Sequence, residues 1–482
     1  MNTRKSIIGS FYLTLQPLIL SAIGLPATAY VIRSLGPTGY GQWVVATSLV
    51  GVFGVLTTMG LRPLFQRLVA QDPEIAHREA YYQLSLRGLL GIIAAAISIC
   101  ICLLLHYPRV VLICTLIAAV AMILSAMSSV FEDLMNGHQC FKILTIVSTC
   151  SGIILTLLSV VAVFYGGGPS TVALAYASGP LISLALFIVI THKTLFKITI
   201  AYSLTKYIQL LKDSRLVSIS FILASIRDRV EGLFMPKMVG ITQVGLFSAG
   251  ALLPSRLGII PGGIVGAFYA QTAISYKENP DEASLCVGRV IMLTLVCCLP
   301  LSMLMTFLST NISNILFKTD SESCSLIIRL LAWTLPLSGV LSVMGTSLQA
   351  ANHHDDAARA GIGMSLCSVP ASLILIDRFG LMGACISSIL RPIIGYIMYT
   401  PSFIRIFHNA IHEVPILRII MCLVLMAVIL TEKELFIQSN IGLLIISLIS
   451  LLAYFCGIIL FRIVSIGQIR ILLSIKIIEN SK

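Results

Sequence analysis

Charge is what this sequence has least of. Only 11% of its 482 residues are Asp, Glu, Lys or Arg, where a soluble chain carries about 25%, and that deficit excludes an ordinary globular domain. Thirteen cysteines are present, but no C-x-x-C pair and no histidine at ligand spacing accompanies them. Neither a disulfide framework nor a zinc site is expected, and the thiols read as small apolar side chains. There is no Gly-rich Walker-type loop, which argues against ATP hydrolysis by the chain itself. No connection between apolar segments reaches thirty residues, and no Ser/His/Asp set or carboxylate pair stands in a soluble stretch large enough for catalysis. The chain therefore reads as a non-enzyme with no cofactor and no metal. The loop Asn352-His353-His354-Asp355-Asp356 lacks the further ligands a metal would need and reads as solvated.

What is present is hydrophobic: 57% of the residues, with a mean hydropathy of +0.99. Windows of about 20 apolar residues predict an all-α polytopic membrane protein with about fourteen transmembrane helices, six within 1–192, six within 216–404 and two near 415–431 and 440–462. Strands of a membrane barrel would be about ten residues long and strictly alternating, which this sequence is not. Met1 to Ala29 imitates a secretory signal, yet its apolar run exceeds an h-region of 7 to 15 residues, so an uncleaved first helix is expected. The net charge of +12 does not indicate nucleic acid, because the cations lie in short connections between apolar spans. Twenty lysines and arginines fall in one alternate set of connections and six in the other. Under the positive-inside rule both termini are expected in the cytoplasm.

A weak internal repeat organises the spans. Leu35-Gly36-Pro37-Thr38-Gly39-Tyr40-Gly41-Gln42-Trp43 and Val239-Gly240-Ile241-Thr242-Gln243-Val244-Gly245-Leu246-Phe247 match in both glycines and in a closing aromatic, 204 residues apart. Gly168 with Gly380 and Pro180 with Pro392 repeat at an offset of 212. Six helices is an even number, so the second copy has the orientation of the first. The expected plan is an N-lobe over 1–192, a basic cytoplasmic linker over 193–215, a C-lobe over 216–404 and accessory helices thirteen and fourteen with a tail over 405–482. A transport site would then lie between the lobes at mid-depth.

The stretch Leu216 to Val239 carries the chemistry. Its centre reads Arg227-Asp228-Arg229-Val230-Glu231, and each ionisable group at the middle of a bilayer costs roughly 2.5 to 3.5 kcal/mol. Local neutralisation is one reading, since Arg227 and Glu231 are i,i+4 neighbours and Asp228 and Glu231 are i,i+3 neighbours on a helix. Arg256 and Arg391 also fall mid-span, so four cations face two anions and an anionic substrate would account for the surplus. For Arg256 and Arg391 a pair with Asp228 or Glu231 is the competing explanation. Arginine suits a diphosphate, because its planar fork bonds two oxygens and never deprotonates. Ser255, Gln16, Tyr12 and Tyr396 are plausible partners for sugar hydroxyls, although such groups commonly bond backbone within the membrane. Arg62, with Arg67 and Arg87, is placed at the cytoplasmic helix ends, where it would either receive a lipid diphosphate or face anionic lipid. Glu132 and Asp133 read as a charged helix terminus. Asp228 and Glu231 are candidates for coupling to a proton or sodium gradient.

The run Ile32 to Trp43, followed by an apolar helix ending Met59-Gly60-Leu61, resembles the polysaccharide-transporter branch of the multidrug/oligosaccharidyl-lipid/polysaccharide exporter superfamily, which contains the Wzx-type O-antigen flippases. The resemblance covers the whole chain in organisation. It implies transfer of an undecaprenyl-diphosphate-linked oligosaccharide across the bacterial inner membrane by alternating access, with an O-antigen polymerase and a chain-length regulator as possible neighbours and the cargo and membrane lipid as partners. The first helix lacks the carboxylate typical of the drug-exporting relatives, and it lacks the arginines of the lipid II flippases except for Arg33 at its outer end. A cation-coupled drug exporter and a membrane enzyme such as a polymerase are the alternatives. A net positive cavity disfavours the first, and the absence of a large soluble loop disfavours the second.

Overall fold

The computed structural model describes residues 3–194, 201–316, 321–410, 415–431 and 440–461. Eighteen helices follow in order among the described residues: α1 (Thr3–Thr58), α2 (Leu61–Gln71), α3 (Pro73–Leu104), α4 (Arg109–Gly137), α5 (Phe141–Phe164), α6 (Pro169–Thr194), α7 (Leu204–Asp228), α8 (Val230–Met238), α9 (Ile241–Gly250), α10 (Leu252–Leu257), α11 (Ile259–Glu278), α12 (Pro280–Phe307), α13 (Ser309–Leu316), α14 (Ser321–Ala332), α15 (Thr334–Ala350), α16 (His354–Ile406), α17 (Ile416–Thr431) and α18 (Asn440–Leu460). Nine helical segments among the described residues are long and apolar enough to cross a bilayer, and the protein is a multi-pass membrane protein. The helices among the described residues are compatible with fourteen spans, two of which share α1 and two α16, while the expected spans within 216–268 are divided among α7 to α11.

Chain direction reverses where residue chemistry permits. Within α1, Gly36 has φ 68 and ψ 176, and Gly240, at the head of α9, has φ 111 and ψ 157; a side chain would strain either position. Gly380 breaks α16 in the same way, with φ 57 and ψ −130. Its expected counterpart Gly168 does not share this conformation, because the left-handed residue of that turn is Gly166. Helix starts follow the usual caps: Asp72 accepts from the Ile75 amide at 3.1 Å ahead of Pro73, and Asn279 accepts from the Asp281 amide at 3.0 Å ahead of Pro280. Both satisfy otherwise orphaned first-turn donors.

The two copies of the repeat pack on each other. Thr38 Oγ1 and Thr242 Oγ1, equivalent residues 204 apart, meet at 2.9 Å. A Cβ on Gly41 would lie 2.2 Å from the Ile241 carbonyl oxygen, and one on Gly245 would lie 1.9 Å from the Pro37 carbonyl oxygen. The contact is reciprocal, as a two-fold relation between copies demands, and it needs glycine on both sides because backbone meets backbone. The largest apolar core is continuous across this seam, joining Ile32, Val45 and Leu49 to Val230, Val244 and Phe247. Helices α17 and α18 stand outside the repeat and pack through Cys422, Met426 and Tyr454 on Met292 and Val296 of α12. Part of the expected linker 193–215 is helix, since α7 begins at Leu204; residues 195–200 lie outside the described set.

Candidate substrate pathway

The span expected over Leu216 to Val239 is not one helix. It breaks at Arg229, whose φ of −127 and ψ of 15 leave the helical region, so α7 ends at Asp228 and α8 starts at Val230. The Arg229 amide reaches back only to the Ile226 carbonyl, at 3.2 Å, and the Leu233 amide returns to the Arg229 carbonyl at 3.0 Å. Irregular backbone at membrane depth is tolerated where it lines a cavity or is buried in protein.

Cavities do flank the break. One in the N-lobe, of about 320 Å³, is lined by Thr47, Val50, Gly51 and Gly54 of α1, by Tyr176 and Pro180 of α6, and by Arg62, Glu132 and Arg229 among others. Its counterpart in the C-lobe, of about 630 Å³, is lined by Ala251, Pro254, Ser255, Gly258, Ser388 and Pro392. Those six positions are the N-lobe positions displaced by 204 for the first four and by 212 for the last two. The cavities are thus the same place in the two copies. A third, of about 440 Å³, lies against Thr28, Tyr40, Trp43, Thr47, Tyr176 and Arg256. It shares Thr47 and Tyr176 with the first.

The break distributes the charged cluster. Arg227 Nε donates to Asp228 Oδ1 at 2.9 Å, and its Nη1 reaches Ser365 Oγ at 3.4 Å. Glu231, nearly inaccessible, accepts from Arg391 and from the Ser387 and Ser388 hydroxyls at 3.5 and 3.4 Å. The expected i,i+4 pair of Arg227 with Glu231 does not form, because that register requires a continuous helix through residue 229. For Arg391 the competing explanation, a pair with Glu231, holds. Arg229 turns the other way. Its guanidinium lies against Gly51, where a Cβ would come within 2.4 Å of Cζ, so glycine makes room for a cation inside the N-lobe cavity. Arg256 extends from α10 to the third cavity, whose other lining residues all belong to the N-lobe. Neither Arg229 nor Arg256 has an acidic partner among the described residues. Two anions therefore hold two of the four mid-span cations, and the remaining pair are both C-lobe residues facing N-lobe space.

Arg62 is not a lone cation at a helix end. Its Nη2 donates to Glu132 Oε2 at 3.0 Å and its Nε to Asp133 Oδ1 at 3.1 Å, while Gln66 Nε2 adds a bond to the same Asp133 oxygen at 2.8 Å. Arg87 Nη2 sits 2.8 Å from Asp133 Oδ2, with both side chains fully buried, and Arg87 Nη1 donates to Ser129 Oγ at 2.7 Å. Glu132 and Asp133 consequently do not form a solvated helix terminus; Asp133 is the buried anion around which α2, α3 and α4 converge. The signal in the sequence was an acidic pair one turn after Ser128-Ser129 in an otherwise apolar helix, but its partners lie far away in the chain.

Of the expected hydroxyl partners, Ser255 donates to the Leu252 carbonyl at 2.9 Å and Tyr396 donates to the Leu337 carbonyl. Both are engaged with backbone. Gln16 lies on α1, and the side chain of Tyr12 lies outside the described residues. A better polar surface went unnoticed: Thr334, Ser338, Ser342, Thr346 and Gln349 of α15 line the C-lobe cavity. Their spacing of four, four, four and three is a helical stripe that was visible without a structure. The expected loop 352–356 is largely the start of α16, where Arg405 Nη2 donates to Asp356 Oδ2 at 2.7 Å and His353 Nδ1 lies 3.2 Å from the same atom.

Comparison with known proteins places the chain in a family and a fold. Residues 7–270 match the family described as polysaccharide biosynthesis protein. A protein of Shigella flexneri described as "Putative O-antigen transporter" is 18% identical over 393 residues, covering 79% of this chain and 93% of that protein. Among solved structures, the lipid II flippase MurJ in an inward closed conformation superposes with a TM-score of 0.70 at 16% identity, covering 94% of this chain and 98% of that one. A transporter of the MOP superfamily from Pyrococcus furiosus, described by the reversed polarity of its binding pocket, superposes with a TM-score of 0.58 at 16% identity, over 82% and 95% of the two chains. At these identities the superpositions establish a shared fold.

Proposed function

The chain belongs to the polysaccharide biosynthesis protein family, and from that premise we propose that it is a flippase for polyprenyl-diphosphate-linked oligosaccharides, of which an undecaprenyl-linked O-antigen repeat unit is the type. The lobes would alternate in opening their shared space to the two leaflets of the bacterial inner membrane, with both termini cytoplasmic and the cargo delivered outward to a polymerase and its chain-length regulator. One observation carries this reading: Arg229 and Arg256 face cavity space without acidic partners among the described residues. A diphosphate supplies the missing charge, and two separate arginines suit it because each guanidinium bonds phosphate oxygens in a fixed planar geometry. The same surplus disfavours a cationic drug as cargo. Arg62, at the Glu132 end of the first cavity, would meet the headgroup as it enters, while Arg227 and Arg391 are held by Asp228 and Glu231 and would contact cargo only in exchange for those pairs.

Replacement of Arg229 or Arg256 by alanine is expected to lower surface polysaccharide at unchanged protein abundance. Loss of one charge-assisted bond, about 1.5 to 3 kcal/mol, corresponds to roughly ten- to a hundredfold in binding. Lysine at either position should restore part of the activity, because charge returns without the fork. Polysaccharide export at wild-type level in the double alanine variant would end the proposal. Arg229 and Arg256 are both exposed, and quantifying the membrane-inserted protein separates lost transport from lost folding.

Asp228 and Glu231 are proposed to couple transport to a proton or sodium gradient. Glu231 is buried against Arg391 and two serines, so a change in its charge would release Arg391 to the cavity. The Asp228→Asn, Glu231→Gln variant is expected to respond weakly to an imposed gradient in proteoliposomes, where the parent protein accelerates. A variant that kept the full gradient response would remove these carboxylates from the coupling step.

A further inference from the structure

The two equivalent cavities differ in chemistry, and a symmetric fold does not by itself require that difference. In the N-lobe cavity the fourth span, α4, presents Ala118, Ala121, Met122, Ser125 and Ala126 before reaching Ser129 and Glu132. In the C-lobe cavity the corresponding span, α15, presents Thr334, Ser338, Ser342, Thr346 and Gln349. Ser342, Thr346 and Gln349 have no side-chain hydrogen-bond partner among the described residues, and Ser338 and Thr334 bond only the carbonyls of their own helix or its approach, at 2.6 Å each. Beside them stand Asp228, Glu231, Arg227 and Arg391, whose charges cancel in two ion pairs. Arg391 Nε is buried in the same region without a hydrogen-bond partner, an orphan donor of the kind that native interiors rarely leave unmet.

From this contrast we infer that the C-lobe cavity is the pocket that reads the sugar part of the cargo, while the diphosphate stays with Arg229 and Arg256 on the N-lobe side. The inference rests on the flippase reading above and assigns its parts. A sugar ring offers hydroxyls that both donate and accept, so a wall mixing hydroxyls, an amide, carboxylates and guanidinium groups complements it. The same wall does not suit a diphosphate, because Asp228 and Glu231 repel anions and the local cations are already paired. A cavity of about 630 Å³ also falls within the roughly 300 to 1,000 Å³ of ligand pockets, larger than either cavity on the N-lobe side. The break at Arg229 makes the division possible, since it sends adjacent charges of one stretch of chain into the two different spaces.

The test is a binding titration of the full chain in nanodiscs with two probes: undecaprenyl diphosphate without sugar, and the lipid-linked oligosaccharide extracted from the source cells. The parent protein is expected to prefer the glycosylated probe. The variant Ser338→Ala, Ser342→Ala, Thr346→Val, altered only on the cavity face of α15, is expected to lose about tenfold for the glycosylated probe, the loss of one or two neutral hydrogen bonds, and nothing for the bare lipid. Arg229→Ala should weaken both probes alike. Ser342→Leu, which fills the cavity instead of stripping it, is expected to repeat the selective loss. A stripe variant that retains the full preference, or that weakens both probes equally, overturns the assignment of the sugar to this pocket. Equal binding of the two probes by the parent protein overturns it as well and leaves the flippase reading standing, whereas binding of neither probe removes the flippase reading and this inference with it.

Discussion

Asp133→Ala is expected to be the most damaging single substitution on the N-lobe side. The carboxylate accepts from Arg62 and Gln66 on one oxygen and stands 2.8 Å from Arg87 Nη2 on the other. Arg87 is fully buried, and its other strong bond is to a neutral serine hydroxyl. Removing the anion leaves a cation stranded in low dielectric, a loss of about 3 to 5 kcal/mol, enough to unfold many marginally stable domains. Thermal unfolding of the detergent-purified protein, followed together with its abundance in membranes, measures this. The double variant Asp133→Leu, Arg87→Met should recover much of the stability, because replacing both ions by apolar groups of similar size is often close to neutral. Glu132→Ala should cost far less, since Glu132 is 30% exposed and holds only Arg62. If Asp133→Ala melted with the parent protein, the cluster would be ornamental and the convergence of α2, α3 and α4 would need another cause.

Gly245→Ala should rank beside it, for a different reason. The added Cβ would sit 1.9 Å from the Pro37 carbonyl oxygen and 2.8 Å from its carbon, and neither atom belongs to a side chain that can rotate aside. Overpacking normally costs about 1 to 3 kcal/mol. Here the backbone of one copy of the repeat must move off the other, so the loss should reach or exceed the upper end. Gly41→Ala should behave alike, because its Cβ would meet the Ile241 carbonyl at 2.2 Å. Gly263→Ala is the control: nothing lies within 4 Å of the position its Cβ would take. Equal melting temperatures for the Gly245→Ala and Gly263→Ala proteins would show that the lobes do not rely on this seam.

Much of the fold was legible before any coordinates. Spans of about 20 apolar residues mark membrane helices because the bilayer leaves backbone groups no other partner, and the described residues of those spans are helical apart from breaks such as Arg229. The glycines of the repeat mark tight turns, which are present at Gly36 and Gly240, whereas the close backbone approach at Gly41 and Gly245 arises from the packing of the two copies. The surplus of two mid-membrane cations was also countable, since a charge inventory does not depend on geometry.

Which two cations would remain unpaired was not countable. Nothing in Arg227-Asp228-Arg229-Val230 is a strong helix breaker, so periodicity alone predicted a continuous helix and a pair between Arg227 and Glu231. Tertiary packing overrode that register: Arg229 settled against Gly51 of the other lobe, and Arg391, 160 residues from Glu231, took the carboxylate. Asp133 was misread for a related reason. Arg62 and Gln66 lie 71 and 67 residues from it, and one sequence carries no record of such a meeting. The α15 stripe differs, because its period of about four is carried by the sequence alone.

Composition and hydrophobic spacing on their own determined that this chain crosses a membrane many times, in two copies of one plan, with more positive than negative charge at mid-depth. The crossings follow from transfer free energies, which are summed residue by residue, and the repeat and the charge surplus from the order and number of residues alone. The tertiary structure alone decided which arginines are neutralised and which face open space, since a charge's partner is set by distances of a few ångströms between segments that the chain order keeps far apart.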